Sequence, residues 1–111
     1  MILFNTTFCV NSAVAGDFIE FIRDTYIPLA TSSELHSCLL TELRVPSERD
    51  LNGNETRSFA LQMRAPSAVA LEDFQADILP NIYSAMGRQW GAHVAFFEST
   101  LDVLFDPAKN E

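Results

Sequence analysis

The chain has 111 residues, 48% of them hydrophobic and 20% charged, and a formal charge of −8. That is the size and composition of one ordinary globular domain and excludes a disordered chain. Only seven Lys or Arg are present, scattered from Arg23 to Lys109, so neither the clustered positive charge that binds nucleic acid nor an attraction to anionic membranes is on offer.

Residues 2–10 alternate with period two. Ile2, Phe4, Thr6, Phe8 and Val10 share one side and Leu3, Asn5, Thr7 and Cys9 the other, which predicts a first strand. Ala13-Val14-Ala15-Gly16 looks like a signal-peptide cleavage site, but no basic residue precedes it and Asn5, Thr6, Thr7 and Asn11 interrupt any apolar stretch. The strand reading is therefore preferred, and a cytoplasmic protein is expected. After Asn11 and Ser12, a helix from about Ala13 to Tyr26 is expected, its apolar face made of Val14, Phe18, Phe21, Ile22 and Thr25. Pro28 disfavours helical angles at Ile27, so the helix should stop or bend there, leaving 28–33 as a connection or short extra turn.

Residues 34–45 read as a second strand, with Leu35, Leu39, Leu43 and Val45 on one face and His36, Cys38, Leu40, Glu42 and Arg44 on the other. Pro46 to Glu55 forms a polar loop with Asn52-Gly53 near its tip, which is hairpin chemistry. A third strand covers about 56–65, alternating Phe59, Leu61 and Met63 with Ser58, Ala60, Gln62 and Arg64. Ser67 is a good N-cap for a second helix striped with Leu71, Phe74, Ile78, Ile82 and Met86. Pro80 inside that stripe predicts a kink or two abutting helices. A fourth strand covers about 93–104. Residues 1–105 then make a single domain and 106–111 a polar tail.

The order strand, helix, strand, strand, helix, strand is the split βαβ pattern, an α+β ferredoxin-like sandwich. Right-handed crossovers put both helices on one face of a four-stranded antiparallel sheet, with the first and third strands central. Phe4, Phe8, Phe59, Leu61, Met63, Phe97 and Leu101, with Leu35, Leu39 and Leu43, are expected to face the helices. The opposite face would carry Leu3, Asn5, Thr7, Cys9, His36, Cys38, Leu40, Ala60, Gln62, Arg64, Phe96, Glu98 and Thr100. This set is too apolar for water and too polar for a core, so a second copy is expected to cover it and make a homodimer through the sheet face. Cys9 and Cys38 read as buried thiols in a reducing compartment, with no metal-site spacing.

The opening Met1-Ile2-Leu3-Phe4-Asn5-Thr6-Thr7, the helix-ending Tyr26-Ile27-Pro28 and the closing segment His93 to Leu104 resemble a bacterial family of short proteins of unknown function, found largely in Bacteroidetes. The resemblance runs from Met1 to about Leu104. It implies a dimeric α/β-barrel of ferredoxin-like type, a group that includes small monooxygenases, isomerases, haem-degrading enzymes and ligand-binding modules. Two departures stand out: members often carry His where this chain has Tyr26, and Arg near the position of Phe97 or Glu98.

Residues able to take protons are His36, His93 and Tyr26. Asn5, Thr7, Gln62, Arg64, Phe96 and Glu98 are the expected ligand or dimer face. Arg64 and Glu98 are expected on that face about two strand spacings apart, near 10 Å. Tyr26, Tyr83 and Trp90 lie near helix ends, where a mouth between helices and sheet could hold a small apolar ligand. No nucleophile triad, phosphate-cradling loop or dinucleotide fingerprint is visible. The expected function is a homodimeric small-molecule-binding or interaction module without cofactor or metal. The alternative, which the resemblance implies, is a cofactor-independent monooxygenase or isomerase acting on a small apolar substrate.

Overall fold

The computed structural model describes residues 1–44, 48–50 and 52–107. Val45 of the expected second strand and parts of the expected loop (46, 47 and 51) and of the tail (108–111) lie outside the described residues. The expected α+β ferredoxin-like fold is present, with strands β1 (Ile2–Asn11), β2 (His36–Glu42), β3 (Glu48–Arg49), β4 (Glu55–Ala65) and β5 (Val94–Asp102). The antiparallel sheet runs β2-β4-β1-β5, and the two-residue β3 pairs with the start of β4. The two strands read as central are β1 and β4, and each keeps its expected parity. Phe4, Thr6, Phe8 and Val10, with Phe59, Leu61 and Met63, lie buried beneath the helices. Each large apolar side chain closed off this way contributes roughly 1.5–3 kcal/mol.

The first helical stretch does not end at Pro28. It begins as a 3₁₀ turn, Ser12–Val14, capped by Asn11 Oδ1, which accepts from the Ala13 N–H at 2.9 Å. It continues as α1 (Ala15–Phe21), widens into a π-helical turn over Ile22–Tyr26, and resumes as α2 (Ile27–Ser32). The wide turn accounts for the proline. Pro28 brings no N–H and crowds the carbonyl four residues back; a turn in which the Ile27 N–H reaches the Ile22 carbonyl has already displaced that ladder. The same extra residue turns Tyr26 into the core, where it is fully buried.

The second helical stretch divides at Pro80 as expected, into α3 (Ala68–Asp77) and α4 (Leu79–Trp90). Ser67 Oγ caps α3 by accepting from the Ala70 N–H at 3.1 Å. Trp90 closes the core against Phe18 and Phe21, and Phe18 in turn meets Phe8 and Phe59. Among the described residues, no helix is long and apolar enough to cross a membrane.

The two outer strands depart from expectation. In β2 the pairing register shifts between His36 and Leu39, and Ser37 takes a φ of 54°. This bulge inserts one residue and reverses the alternation beyond it. Cys38 and Leu40 therefore pack toward the helices, and Leu39, paired with Gln62, takes the open face. In β5, Phe96 pairs with Phe8, Glu98 with Thr6 and Thr100 with Phe4. Directly paired residues share a face, so Phe96, Glu98 and Thr100 lie on the helix side. Phe97 and Leu101, paired with Thr7 and Leu3, lie on the open side. The expectation is thus inverted throughout β5 and, in β2, beyond the bulge, while Leu35 and His36 keep their expected sides.

Candidate functional site

The open face is built in cross-strand rows. One row runs Leu39, Gln62, Asn5, Ser99; the next runs Thr41, Ala60, Thr7, Phe97; a third joins His36, Arg64, Leu3 and Leu101. Polar residues fill the middle, where the Asn5 amide lies 3.5 Å from Thr7 Oγ1. Apolar residues stand at the margins: Leu39 is 57% exposed, Phe97 63% and Leu101 46%. Of the expected face residues, Asn5, Thr7, Gln62 and Arg64 are here, while Phe96 and Glu98 are on the other side of the sheet. Arg64 and Glu98 cannot meet within one chain. Arg64 instead reaches Asp106 at 3.4 Å and Met1 Sδ at 2.9 Å.

The two histidines are both exposed and are separate from each other. His36 Nδ1 lies 3.1 Å from Ser37 Oγ beside the bulge, and His93 Nδ1 lies 3.3 Å from Asn11 Nδ2. Cys9 and Cys38 are unpaired thiols on opposite faces of the sheet. The Cys38 thiol is pushed up by its partial burial, with an easing contribution from Thr31. Among the described residues, no group of three or more His, Cys, Asp or Glu is placed to hold a metal ion.

The helix side holds a polar cluster that the sequence did not announce. Its elements are β1 (Thr6), the π-helical turn (Tyr26), α4 (Tyr83) and β5 (Glu98). Thr6 and Glu98 are direct cross-strand partners, so their Cβ atoms lie about 4.5–5.5 Å apart. Tyr83 donates its hydroxyl to Glu98 Oε2 at 2.6 Å, and its ring stacks on Phe96 with centroids 4.2 Å apart. Behind this pair, Thr6 Oγ1 and Tyr26 Oη are both buried, and neither has a hydrogen-bond partner among the described residues. Buried hydroxyls are nearly always satisfied, and leaving one unpaired costs roughly 1–3 kcal/mol. Two orphans side by side in one core are the clearest departure in the molecule from ordinary packing.

The electrostatics tie the four residues together. Burial raises the Tyr26 hydroxyl far above the ordinary tyrosine range; the Glu98 charge raises it further, the nearby Thr6 hydroxyl eases it, and Cys38 adds a small push upward. Tyr83 is likewise raised, first by burial, then by its bond to Glu98 and by the charges Tyr26 and Glu98 would carry. Both phenols are therefore neutral groups able to donate or accept. The Phe74 ring, 6.1 Å from that of Tyr26, also lines a groove of about 320 Å³ with Ser32, Ser33, Glu34, Asp73 and Asp77. A second groove of about 260 Å³ is walled by Asp17, Glu20, Asp24 and Gln89. Both are acidic and open.

The sequence pattern points to Tyr26 and Glu98 as residues of separate regions and puts Thr6 on the same side of its strand as Phe4 and Phe8, which leaves the hydroxyl's partner open. A threonine among phenylalanines in a central strand was the available signal.

The sequence matches, over residues 1–104, the family model described as a domain of unknown function (DUF4286). No curated protein matches it. Among solved structures, it is similar to a dimeric ferredoxin-like protein from an uncultured marine organism, with 13% identity, 95% of this chain and 97% of the other covered, and a TM-score of 0.69. It is also similar to a candidate antibiotic biosynthesis monooxygenase from Bacillus cereus, with 13% identity, coverage of 95% and 94% and a TM-score of 0.63. HapK from Hahella chejuensis gives 10% identity, coverage of 96% and 95% and a TM-score of 0.59. At these identities the likeness is one of fold.

Proposed function

The chain belongs to the family described as a domain of unknown function (DUF4286), and from that footing we propose that it is a small-molecule-binding module whose site is the Thr6–Tyr26–Tyr83–Glu98 cluster. One observation carries the reading: two fully buried hydroxyls without partners among the described residues, behind a tyrosine–carboxylate pair that leads to solvent. A ligand supplying hydrogen bonds there recovers the free energy that the two unpaired hydroxyls forfeit. The π-helical turn that delivers Tyr26 supports the same reading, since such turns recur at functional sites.

The module works as a homodimer through the open sheet face. The exposed Leu39, Phe97 and Leu101 around a polar centre suit a two-fold partner, as does the fold it shares with a dimeric ferredoxin-like protein. Two unpaired thiols on opposite faces accord with a cytoplasmic setting.

A cofactor-independent enzyme is the second reading, favoured by the short Tyr83–Glu98 hydrogen bond. In that case Tyr83, Glu98 and Tyr26 handle the proton; the two exposed histidines do not.

The test is a thermal-shift screen of a metabolite library, because a ligand bound only to the folded state raises the midpoint. The wild type is compared with Thr6→Val and Tyr26→Phe. A hit that shifts the wild type and neither variant supports the site. Hits that shift all three proteins equally place binding elsewhere and overturn it.

A further inference from the structure

The cluster has a definite polarity. Glu98 is exposed at the rim, and its Oε2 accepts from Tyr83. Among the described residues Oε1 makes no hydrogen bond to protein. Behind it stand Thr6 and Tyr26, neutral hydroxyls that either donate or accept. The ionised group that both tyrosines feel is this carboxylate. The surroundings are hydrocarbon: Phe4 and Phe8 flank Thr6 on the same face of β1, and Phe74 lies beside Tyr26, all three buried.

An anion placed here sets a second negative charge beside Glu98. A protonated amine instead donates to Oε1 in a charge-assisted bond, the stronger class of hydrogen bond. Because Thr6 is the direct cross-strand partner of Glu98, an ammonium at the carboxylate stands within one small molecule's length of the buried hydroxyls. Tyr83 occupies the approach. It is held at two points, its hydroxyl on Glu98 and its ring on Phe96, and both belong to an edge strand. Tyr83 is half-buried where Thr6 and Tyr26 are fully buried, so it is the outermost of the three hydroxyl-bearing residues.

We infer that the site takes a small primary amine with an apolar body, its ammonium on Glu98 and its far end toward Thr6 and Tyr26, and that Tyr83 is the gate the ligand displaces. This rests on the binding role proposed for the same cluster and adds the ligand's charge and the moving part.

The experiment uses three probes of like shape: 2-phenylethylamine, 2-phenylethanol and 3-phenylpropionate. Binding of each is followed by two-dimensional NMR at neutral pH with the wild type, Glu98→Gln, Tyr83→Phe and Thr6→Val. The amine is expected to bind at least tenfold more tightly than the carboxylate. Glu98→Gln removes that advantage, so that the amine binds no more tightly than the alcohol. Tyr83→Phe tightens amine binding several-fold, because the competing donor is gone. Glu98 is exposed, so its amide variant keeps the fold and the comparison stays clean. If the carboxylate binds as tightly as the amine and Thr6→Val abolishes both, the cluster is a binding site but the amine inference is wrong. If amine binding is the same in Glu98→Gln, or none of the probes binds, the inference is likewise overturned. The binding reading itself then stands or falls on the library screen.

Discussion

Tyr83 and Glu98 join helix α4 to the edge strand β5 through a 2.6 Å hydrogen bond, and the same tyrosine ring stacks on Phe96 two residues earlier. The hydroxyl and the ring make separable contributions. Tyr83→Phe removes a hydrogen bond whose acceptor is exposed and should cost about 1 kcal/mol. Tyr83→Ala also loses the stacked ring and should cost about 3 kcal/mol. Urea denaturation of the two variants checks this, and equal losses would assign the whole effect to the hydroxyl's hydrogen bond and none to the ring.

The orphaned hydroxyls behind that latch make the opposite prediction. Thr6→Val and Tyr26→Phe each delete a buried group that has no partner among the described residues, so each should stabilise the protein by about 1 kcal/mol. For a domain of this size that raises the melting midpoint by roughly 4 °C. Calorimetry measures it. A fall in midpoint for both variants would mean that the hydroxyls bond to ordered water, which would remove the argument for an unfilled site.

Tyr26 and Tyr83 are the only two tyrosines in the chain, and both are raised above the ordinary range. The folded state therefore holds these protons when the unfolded chain would release them, at about pH 10. Their contribution is fully present below that pH and declines as pH rises above it, because folding then requires proton uptake. Ultraviolet titration should show no tyrosinate near pH 10, then a steep rise coincident with loss of the far-ultraviolet circular dichroism signal. Half of the phenol absorbance titrating near pH 10 in folded protein would place one of the two outside the cluster.

How much of this the residues disclosed depends on the strand. In β1 and β4, large apolar side chains alternate with polar ones, and the buried face follows directly. In β5 the run Val94-Ala95-Phe96-Phe97 is apolar on both sides, so periodicity has nothing to choose between, and Glu98 inherited the wrong face. In β2 the alternation is intact in sequence but broken in space, because Ser37 adopts a positive φ with no glycine to announce it. The site straddles these two kinds of strand. Thr6 could be placed and Glu98 could not, so their pairing was invisible. The wide turn that aims Tyr26 inward is likewise a response to Pro28 that a reading of helical periodicity cannot supply.

Glu34 tests a second local strain. It closes α2 with φ 73°, in a Schellman arrangement where the Glu34 N–H reaches the Thr31 carbonyl at 3.2 Å and the Leu35 N–H reaches that of Ala30 at 3.1 Å. A side chain in the left-handed region costs roughly 1–2 kcal/mol, part of which glycine returns to unfolded-state entropy. Glu34→Gly should therefore stabilise by about 0.5–1 kcal/mol. Ser37→Gly should do the same at the β2 bulge, and Glu34→Val should destabilise by at least as much. The midpoint of a urea transition at constant slope reads each effect. Destabilisation by both glycines would show that the side chains make up for their strain.

The open face gives the last and most direct test. Leu39 and Phe97 stand on opposite margins of it, 57% and 63% exposed, and the polar row between them is too narrow to shield either. Packing two copies face to face covers both residues in each copy, so a single substitution acts twice. Burying a phenylalanine contributes about 1.5–3 kcal/mol, and replacing it by glutamate forfeits that in each protomer and sets two carboxylates in the interface. Phe97→Glu should weaken the dimer by at least 3 kcal/mol, or about two orders of magnitude in Kd. Val69→Glu, equally exposed at 64% but on α3 in the helix layer, should leave assembly unchanged. Sedimentation equilibrium across the micromolar range decides it. A wild-type chain that is monomeric throughout, or a dimer broken by Val69→Glu and not by Phe97→Glu, would move the partner off the sheet.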